Sequence, residues 1–309
     1  MLWYILSSLF LQIGTLEKFD PELDVVISSK DLPVIISEGY KWAEGPLWYK
    51  NSLLFSDVPN NVVYQWKPGQ GTSVFLQPSG YSGEGTYGKE PGSNGLIAGL
   101  DSSLILCQHG NRQVARYSGK GFVTLASIFN GKRFSSPNDA TIDKSGNVFF
   151  TDPPYGLPSQ DDKDPLKEQP YNGVYRIDTK GKVHLLVDTL TRPNGIAFFP
   201  DGKKVLIANS DPKKPHWYQY EVKNGRFING RIFATLYGPS PGLPDGLKIN
   251  KEGYVFASGP GGINIFNSKG KLLGRLRLPE PASNCAFDPE EKTLYITNNS
   301  KVLKWTIRH

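Results

Sequence analysis

The sequence predicts an all-β chain folded as a six-bladed β-propeller, and three observations carry that prediction. Of 309 residues, 33 are glycine, 24 are proline and 12% are aromatic, a composition suited to short strands joined by tight turns. Beyond the extreme N-terminus, no segment sustains the i, i+3, i+4, i+7 apolar spacing of a helix. A unit also recurs six times at intervals of roughly 40–55 residues, enough for one four-stranded antiparallel blade each.

Each copy opens on a polar residue, usually followed by a small one, and runs into a short apolar strand. A turn follows, and a second strand closes on a small polar residue. The six copies open at Glu44, Asn94, Asn138, Asn194, Asp245 and Asn284. Their turns fall at Lys50-Asn51, Asp101-Ser102, Lys144-Ser145-Gly146, Pro200-Asp201-Gly202, Lys251-Glu252-Gly253 and Pro289-Glu290-Glu291. Third strands follow several hairpins, as at residues 62–66, 113–117 and 173–177, and a fourth follows at 183–187. The last copy runs out after three strands. An open edge is a liability, so residues 33–37, an apolar run just ahead of the first copy, are expected to supply the missing strand and close the ring.

The expected organisation is one propeller domain over residues 21–309, preceded by an apolar N-terminal segment over 1–20. Residues 1–14 have the length of a signal peptide's apolar region and are short for a membrane span, but no Lys or Arg precedes them and no A-x-A cleavage site follows. Periplasmic or secreted and cytoplasmic locations therefore both stay open. The net charge of +6 is spread through turn-like segments. That reads as a solvated basic surface, without the clustering that nucleic-acid or membrane partners require. Two cysteines, Cys107 and Cys285, sit in apolar runs and read as buried thiols, too few for a disulfide framework or a zinc cluster. Nothing in the sequence fixes an oligomeric state.

In a propeller the first strand of each blade lines the central channel, so the six opening residues are expected to converge at one end of the axis. All six carry side-chain oxygens. Buried without partners, such groups would each cost on the order of 1–3 kcal/mol. Asn-Gly and Asp-Gly are also favoured turn pairs, but a turn preference does not explain why the same slot is polar in every copy. Carboxylate and amide oxygens suit a hard cation, Ca²⁺ first, with Mg²⁺ and Mn²⁺ as alternatives. Zn²⁺ ranks behind them, because the four histidines, His109, His184, His216 and His309, show no metal-ligand spacing. A second polar ring is expected where the second strands return to the same side, at Asp57, His109, Asp152, Asn209, Ser258 and Asn298. These residues would wall the pocket or support the first ring from behind.

Four motifs, Glu44-Gly45-Pro46, Ser136-Pro137-Asn138-Asp139, Arg192-Pro193-Asn194-Gly195-Ile196-Ala197 and Pro244-Asp245-Gly246, stand in order and at family spacing. Over roughly residues 40–300 the chain resembles the SMP-30/gluconolactonase/regucalcin-like propellers, which include diisopropyl fluorophosphatase. Ser93-Asn94-Gly95-Leu96, the run from Cys107 to Arg112 and the run from Thr151 to Gly156 look like the bacterial gluconolactonase branch. The resemblance implies metal-dependent hydrolysis of a sugar lactone to its aldonic acid. It implies metal ligation by Glu44, Asn138, Asn194 and Asp245, with Asp245 also the general base. Asn94, His109, Arg112, Asp152 and Tyr155 are then expected to contact substrate, and Asp57, Asn209 and Ser258 to lie behind the ligands. Two insertions, 77–92 and 153–171, are expected to shape the pocket mouth. The rival readings are an aryl esterase or phosphotriesterase on the same scaffold, and a non-catalytic calcium-binding propeller.

Overall fold

The computed structural model describes residues 12–309. Six antiparallel sheets stand around one axis, each a meander whose first strand lies innermost. Blade one runs through Ala43–Tyr49, Ser52–Asp57, Val62–Lys67 and Gly71–Leu76. The inner strands of blades two to six are Ser93–Ala98, Ala140–Ile142, Pro193–Phe198, Leu247–Ile249 and Ala282–Phe287.

The ring closes as the sequence predicts. Strand Val34–Glu38 pairs antiparallel with Lys301–Thr306 and becomes the outer strand of blade six, joining the two ends of the chain in one sheet. The segment left out of the propeller at the sequence level contributes as well. Thr15–Lys18 adds a fifth strand to the outside of blade five, in register with Arg277 to Gly274. Glu17 there meets Arg277, its Oε1 2.8 Å from the guanidinium Nε. One helical turn, Leu23–Val26, follows and buries Leu23 and Val26 between blades five and six. Of the expected 1–20 segment, residues 1–11 lie outside the described residues. Among the described residues no helix is long and apolar enough to cross a membrane.

Strand periodicity explains where the core sits. Successive side chains point to opposite faces, so each second strand feeds both neighbouring interfaces. In blade one Leu53 and Phe55 pack against Tyr295 and Val302 of blade six, while Leu54 packs against Leu104 and Leu106 of blade two. The same alternation recurs round the ring, and every interface between neighbouring blades holds its own apolar cluster. Cys107 and Cys285 are buried free thiols in two of these clusters.

Near the axis the blades are joined by polar bonds. Ser56 Oγ donates to the Asn94 carbonyl at 3.0 Å, and the Gly95 N–H to the Asn138 carbonyl at 2.7 Å. Thr151 Oγ1 donates to the Asn194 carbonyl at 2.8 Å, and Ser210 Oγ to the Pro244 carbonyl. Ser258 Oγ donates to the Ser283 carbonyl at 2.8 Å, and Ser283 Oγ to the Ala43 carbonyl at 2.7 Å, which completes the circuit. These bonds help to satisfy acceptors near the axis and tie each blade to its neighbour.

Candidate functional site

The inner strands deliver Glu44, Asn94, Asn138, Asn194 and Asp245 to one axial cavity of about 360 Å³. Glu44 and Asn138 are each only 2% exposed. The glycines after the opening residues have a clear cause, and it is not a turn. A Cβ on Gly45, which also sits at φ +53°, would lie 2.0 Å from the Asn94 carbonyl oxygen. A Cβ on Gly246 would lie 1.9 Å from the Asn284 side chain. In the copies opening at Glu44, Asn94, Asn194 and Asp245 the polar-Gly pair therefore lets a blade approach the next closely. Asn284, the sixth opening residue, is buried but does not line the cavity. Its Nδ2 faces Asp139 Oδ2 at 3.4 Å, and its Oδ1 faces Lys248 Nζ at 3.4 Å.

The cavity is acidic and short of donors. Burial pushes the Glu44 carboxyl above its usual range, and Asp139 and Glu90 push it the same way, against the Gly45 N–H that donates to it at 2.8 Å. Asp245 is raised well above the carboxylate range by burial, then by Glu44, Asp139 and Glu90. Asn138 Oδ1 is buried with no hydrogen-bond partner. Asn194 gives its amide nitrogen to Ser210 Oγ at 3.0 Å, which leaves its oxygen free for another partner. Neither Lys nor Arg is among the described residues that line the cavity. Like charges, an orphaned acceptor and no internal cation together make an oxygen cage suited to a hard metal ion. Among the described residues no three His, Cys, Asp or Glu side chains gather as a metal cluster would. The donor set is instead mixed, two carboxylates with two amides.

Of the expected substrate contacts, Asn94 and Tyr155 line the cavity. Tyr155 donates its hydroxyl to the Ser210 carbonyl at 3.1 Å, and burial together with Asp245 pushes its phenol upward. His109, Arg112 and Asp152 are placed behind the wall and do not line the cavity. Arg112 is buried, its Nε donating to the Phe134 carbonyl at 2.7 Å and its Nη1 lying 3.4 Å from Glu168. Asp152 accepts the Ser135 and Ser136 N–H groups at 2.9 and 2.7 Å.

The second polar ring is a set of loop staples, and its register corrects the sequence reading at two blades. Ala43 pairs with Asp57, Ser93 with Gln108 and Pro193 with Asn209, so the residue equivalent to Asp57 in blade two is Gln108, one position before His109. Asp57 accepts the Lys41 and Trp42 N–H groups, Gln108 donates to the Ser79 carbonyl, and Asn209 accepts the Arg192 N–H. Asn298 donates to the carbonyls of Glu280 and Pro281. Each of these residues, like Asp152, ties down the loop that enters its own blade. Ser258 is also displaced by one. It occupies the position of Ser56 and Thr151 and joins blade five to blade six, because its strand ends on Gly259.

Reasoning from sequence missed Trp42, Glu90, Ser210, Leu243 and Pro281, which line the cavity, and Asp139 beside it. Asp139 had a legible signal, standing where the copies opening at Glu44, Asn94, Asn194 and Asp245 place glycine. Glu90 had none, because it lies in the insertion and outside the repeat.

A family profile described as SMP-30/Gluconolactonase/LRE-like region matches residues 42–300. The chain is similar to the gluconolactonase of Zymomonas mobilis, 38% identical over an alignment 306 residues long that covers 94% of this chain and 86% of that protein. It is similar to the diisopropyl-fluorophosphatase of Loligo vulgaris at 25% identity, covering 89% of this chain and 93% of that one. Among solved structures, a gluconolactonase of Xanthomonas campestris superposes with a TM-score of 0.85 at 27% identity, covering 96% of this chain and 97% of that chain.

Proposed function

The chain belongs to the SMP-30/gluconolactonase/LRE-like family, and on that premise we propose that it is a metal-dependent lactonase that opens a gluconolactone-type sugar lactone to its aldonic acid. The observation that carries this reading is the electrostatic imbalance of the axial cavity. Glu44 and Asp245 are held at raised pKa beside the orphaned Asn138 Oδ1, with no cationic side chain among the described residues of the lining. A buried anionic pair of this kind is stabilised by a cation. The metal would be held by Glu44, Asn138, Asn194 and Asp245. Oxygen-only donors favour Ca²⁺, with Mg²⁺ and Mn²⁺ as its rivals.

When bound, such an ion supplies Lewis-acid polarisation of the lactone carbonyl. The chain's own residues supply the rest. Asp245, at the cavity wall, accepts a proton from water as its oxygen bonds to the carbonyl carbon. The bond from that carbon to the ring oxygen then breaks, and the ring oxygen takes the proton from Asp245. The product is an open-chain hydroxy acid. Trp42, Tyr155, Leu243 and Pro281 give the cavity an apolar wall for the sugar ring and keep bulk water from the reacting carbon.

The test is a pH-indicator assay on glucono-δ-lactone with purified protein, in Ca²⁺ and in chelator, corrected for spontaneous opening. Calcium-dependent turnover is expected, and no turnover across a panel of aldonolactones would overturn the reading. Similarity to a diisopropyl-fluorophosphatase favours one rival, hydrolysis of a phosphorus ester. Comparing kcat/KM on lactones and on organophosphates separates the two.

A further inference from the structure

We propose that Glu90, held from behind by His109, is the specificity residue of this cavity and accepts hydrogen bonds from the ring hydroxyls of a polyhydroxylated substrate. The proposal deepens the lactonase reading and rests on it for the identity of the substrate.

Among the described residues that line the cavity, Glu90 is the carboxylate that comes from the 77–92 insertion, whereas Glu44 and Asp245 open repeat copies. Its side chain is 22% exposed and faces the space bounded by Trp42, Asn94 and Tyr155. Although it closes a long loop, its backbone is pinned. The Gly92 N–H donates to the Val58 carbonyl at 2.9 Å, the Gly110 N–H to the Pro91 carbonyl at 3.2 Å, and the His109 N–H to the Gly92 carbonyl at 3.1 Å. Asn61 Oδ1 holds the other end of the same loop by accepting the N–H groups of Ser79, Gly80 and Tyr81. An acceptor carried on so fixed a base is preorganised, and a preorganised acceptor binds without first being ordered.

His109 supplies the second observation. Its ring is fully buried, and among the described residues neither ring nitrogen has a hydrogen-bond partner. Nδ1 lies 3.5 Å from Glu90 Oε2. A buried imidazole without partners is costly, and the Glu90 carboxylate lies beside it at a separation longer than a formed hydrogen bond. Room for the ring comes from Gly156, where a Cβ would lie 2.4 Å from His109 Cβ. The 77–92 loop, His109 and Gly156 therefore converge on Glu90, with its Oε2 on the His109 side.

An ionised carboxylate only accepts hydrogen bonds, and sugar hydroxyls donate them. A carbonyl or ring oxygen offers no donor to Glu90, so Glu90 reads the hydroxyls and not the scissile ester. His109 is a positioning residue and touches no substrate.

The experiment compares the wild type, Glu90→Gln and His109→Asn on glucono-δ-lactone and on δ-valerolactone, which has the same ring without hydroxyls. In parallel, calorimetry measures the binding of Ca²⁺ and of 1,5-anhydroglucitol, which keeps the ring hydroxyls and has no carbonyl. Glu90→Gln is expected to raise KM for glucono-δ-lactone and the Kd of 1,5-anhydroglucitol by about tenfold, the worth of one hydrogen bond to a charged acceptor. On δ-valerolactone, which offers Glu90 no hydroxyl, the loss in kcat/KM should be several-fold smaller than on glucono-δ-lactone, because only the effect of the Glu90 charge on Glu44 and Asp245 remains there. His109→Asn should shift the same two parameters in the same direction by less, again with the smaller loss on δ-valerolactone. Equal losses on both lactones, unchanged KM and Kd, or a tenfold loss of Ca²⁺ affinity in Glu90→Gln would each overturn the assignment. A wild type that turns over no lactone, with anhydroglucitol binding still weakened by Glu90→Gln, would sink the lactonase reading and leave Glu90 standing.

Discussion

Two polar rings circle the same axis, and they are opposites in chemistry. The ring of Asp57, Gln108, Asp152, Asn209 and Asn298 is as deeply buried as the ring of opening residues. Its members spend their side chains on backbone N–H and C=O groups of the entering loops. The opening residues gather at the axis instead, where burial and then neighbouring carboxylates raise the Glu44 and Asp245 carboxyls and the Asn138 amide oxygen is left orphaned. Asp152 of the other ring is also raised by burial, but the Ser135 and Ser136 N–H groups oppose that shift. Burial alone therefore does not mark a functional residue. What separates the rings is where the side chains are directed, to the backbone of the entering loops, with Asn298 Oδ1 left over, or to a shared cavity that something can enter.

The largest test of this contrast removes the most perturbed member of the open ring. Asp245→Ala should lower kcat/KM on glucono-δ-lactone by about a thousandfold or more, the scale of a lost general base, with urea denaturation in chelator showing stability unchanged or raised. Near-normal turnover would break the assignment. The mirror experiment is Asp57→Ala in the closed ring. It strands the N–H groups of Lys41 and Trp42 and the Asn60 amide, and should cost about 3 kcal/mol of unfolding free energy. The fraction that stays folded should still bind Ca²⁺ with wild-type affinity by calorimetry.

The unequal legibility of the two rings follows from how each is encoded. The opening residues were readable because blades repeat. Six copies of one slot, all oxygen-bearing, converge whatever the intervening loops do, and Val34–Glu38 could be assigned to blade six by counting the strands still missing. The closing residues of the second strands were placed on the correct side by hairpin direction, but their register was not readable. A single residue of slippage exchanges a loop staple for a link between blades, and that slip separates His109 from Gln108 and Ser258 from the staples. Tyr155 was found through its motif. Arg112 and Asp152 were assigned to substrate because their protein partners could not be read, the Phe134 carbonyl for Arg112 Nε and the Ser135 and Ser136 N–H groups for Asp152. Arg112 Nη2 is buried and unpaired among the described residues. Glu90 and Trp42 belong to loops, where only tertiary packing decides what faces the cavity.

A smaller effect should carry the contrast's sign. Glu44→Gln keeps the shape of the side chain and removes one of the repelling charges. In chelator the variant should melt above the wild type by about 2–4 °C, since about 1 kcal/mol shifts a chain of this size by that much. In saturating Ca²⁺ the order should reverse, because ligand binding stabilises the folded state in proportion to affinity and Glu44→Gln weakens a ligand. A variant that melts below the wild type in both conditions would place Glu44 with the staples.

The smallest effect belongs to the links between blades. Ser258→Ala removes the hydroxyl that joins blade five to blade six through the Ser283 carbonyl and also reaches the Gly246 carbonyl at 2.9 Å. The Ser283 carbonyl keeps the Gly246 N–H at 2.7 Å, so it is not orphaned. The Gly246 carbonyl likewise keeps the Ser258 N–H at 3.0 Å. With both acceptors still satisfied, the loss should be about 1 kcal/mol in urea denaturation, the net worth of an ordinary hydrogen bond, and Ca²⁺ affinity should not change. A drop in affinity with little loss of stability would mean that the angle between these blades sets the ligand ring, and would move Ser258 from the scaffold to the site.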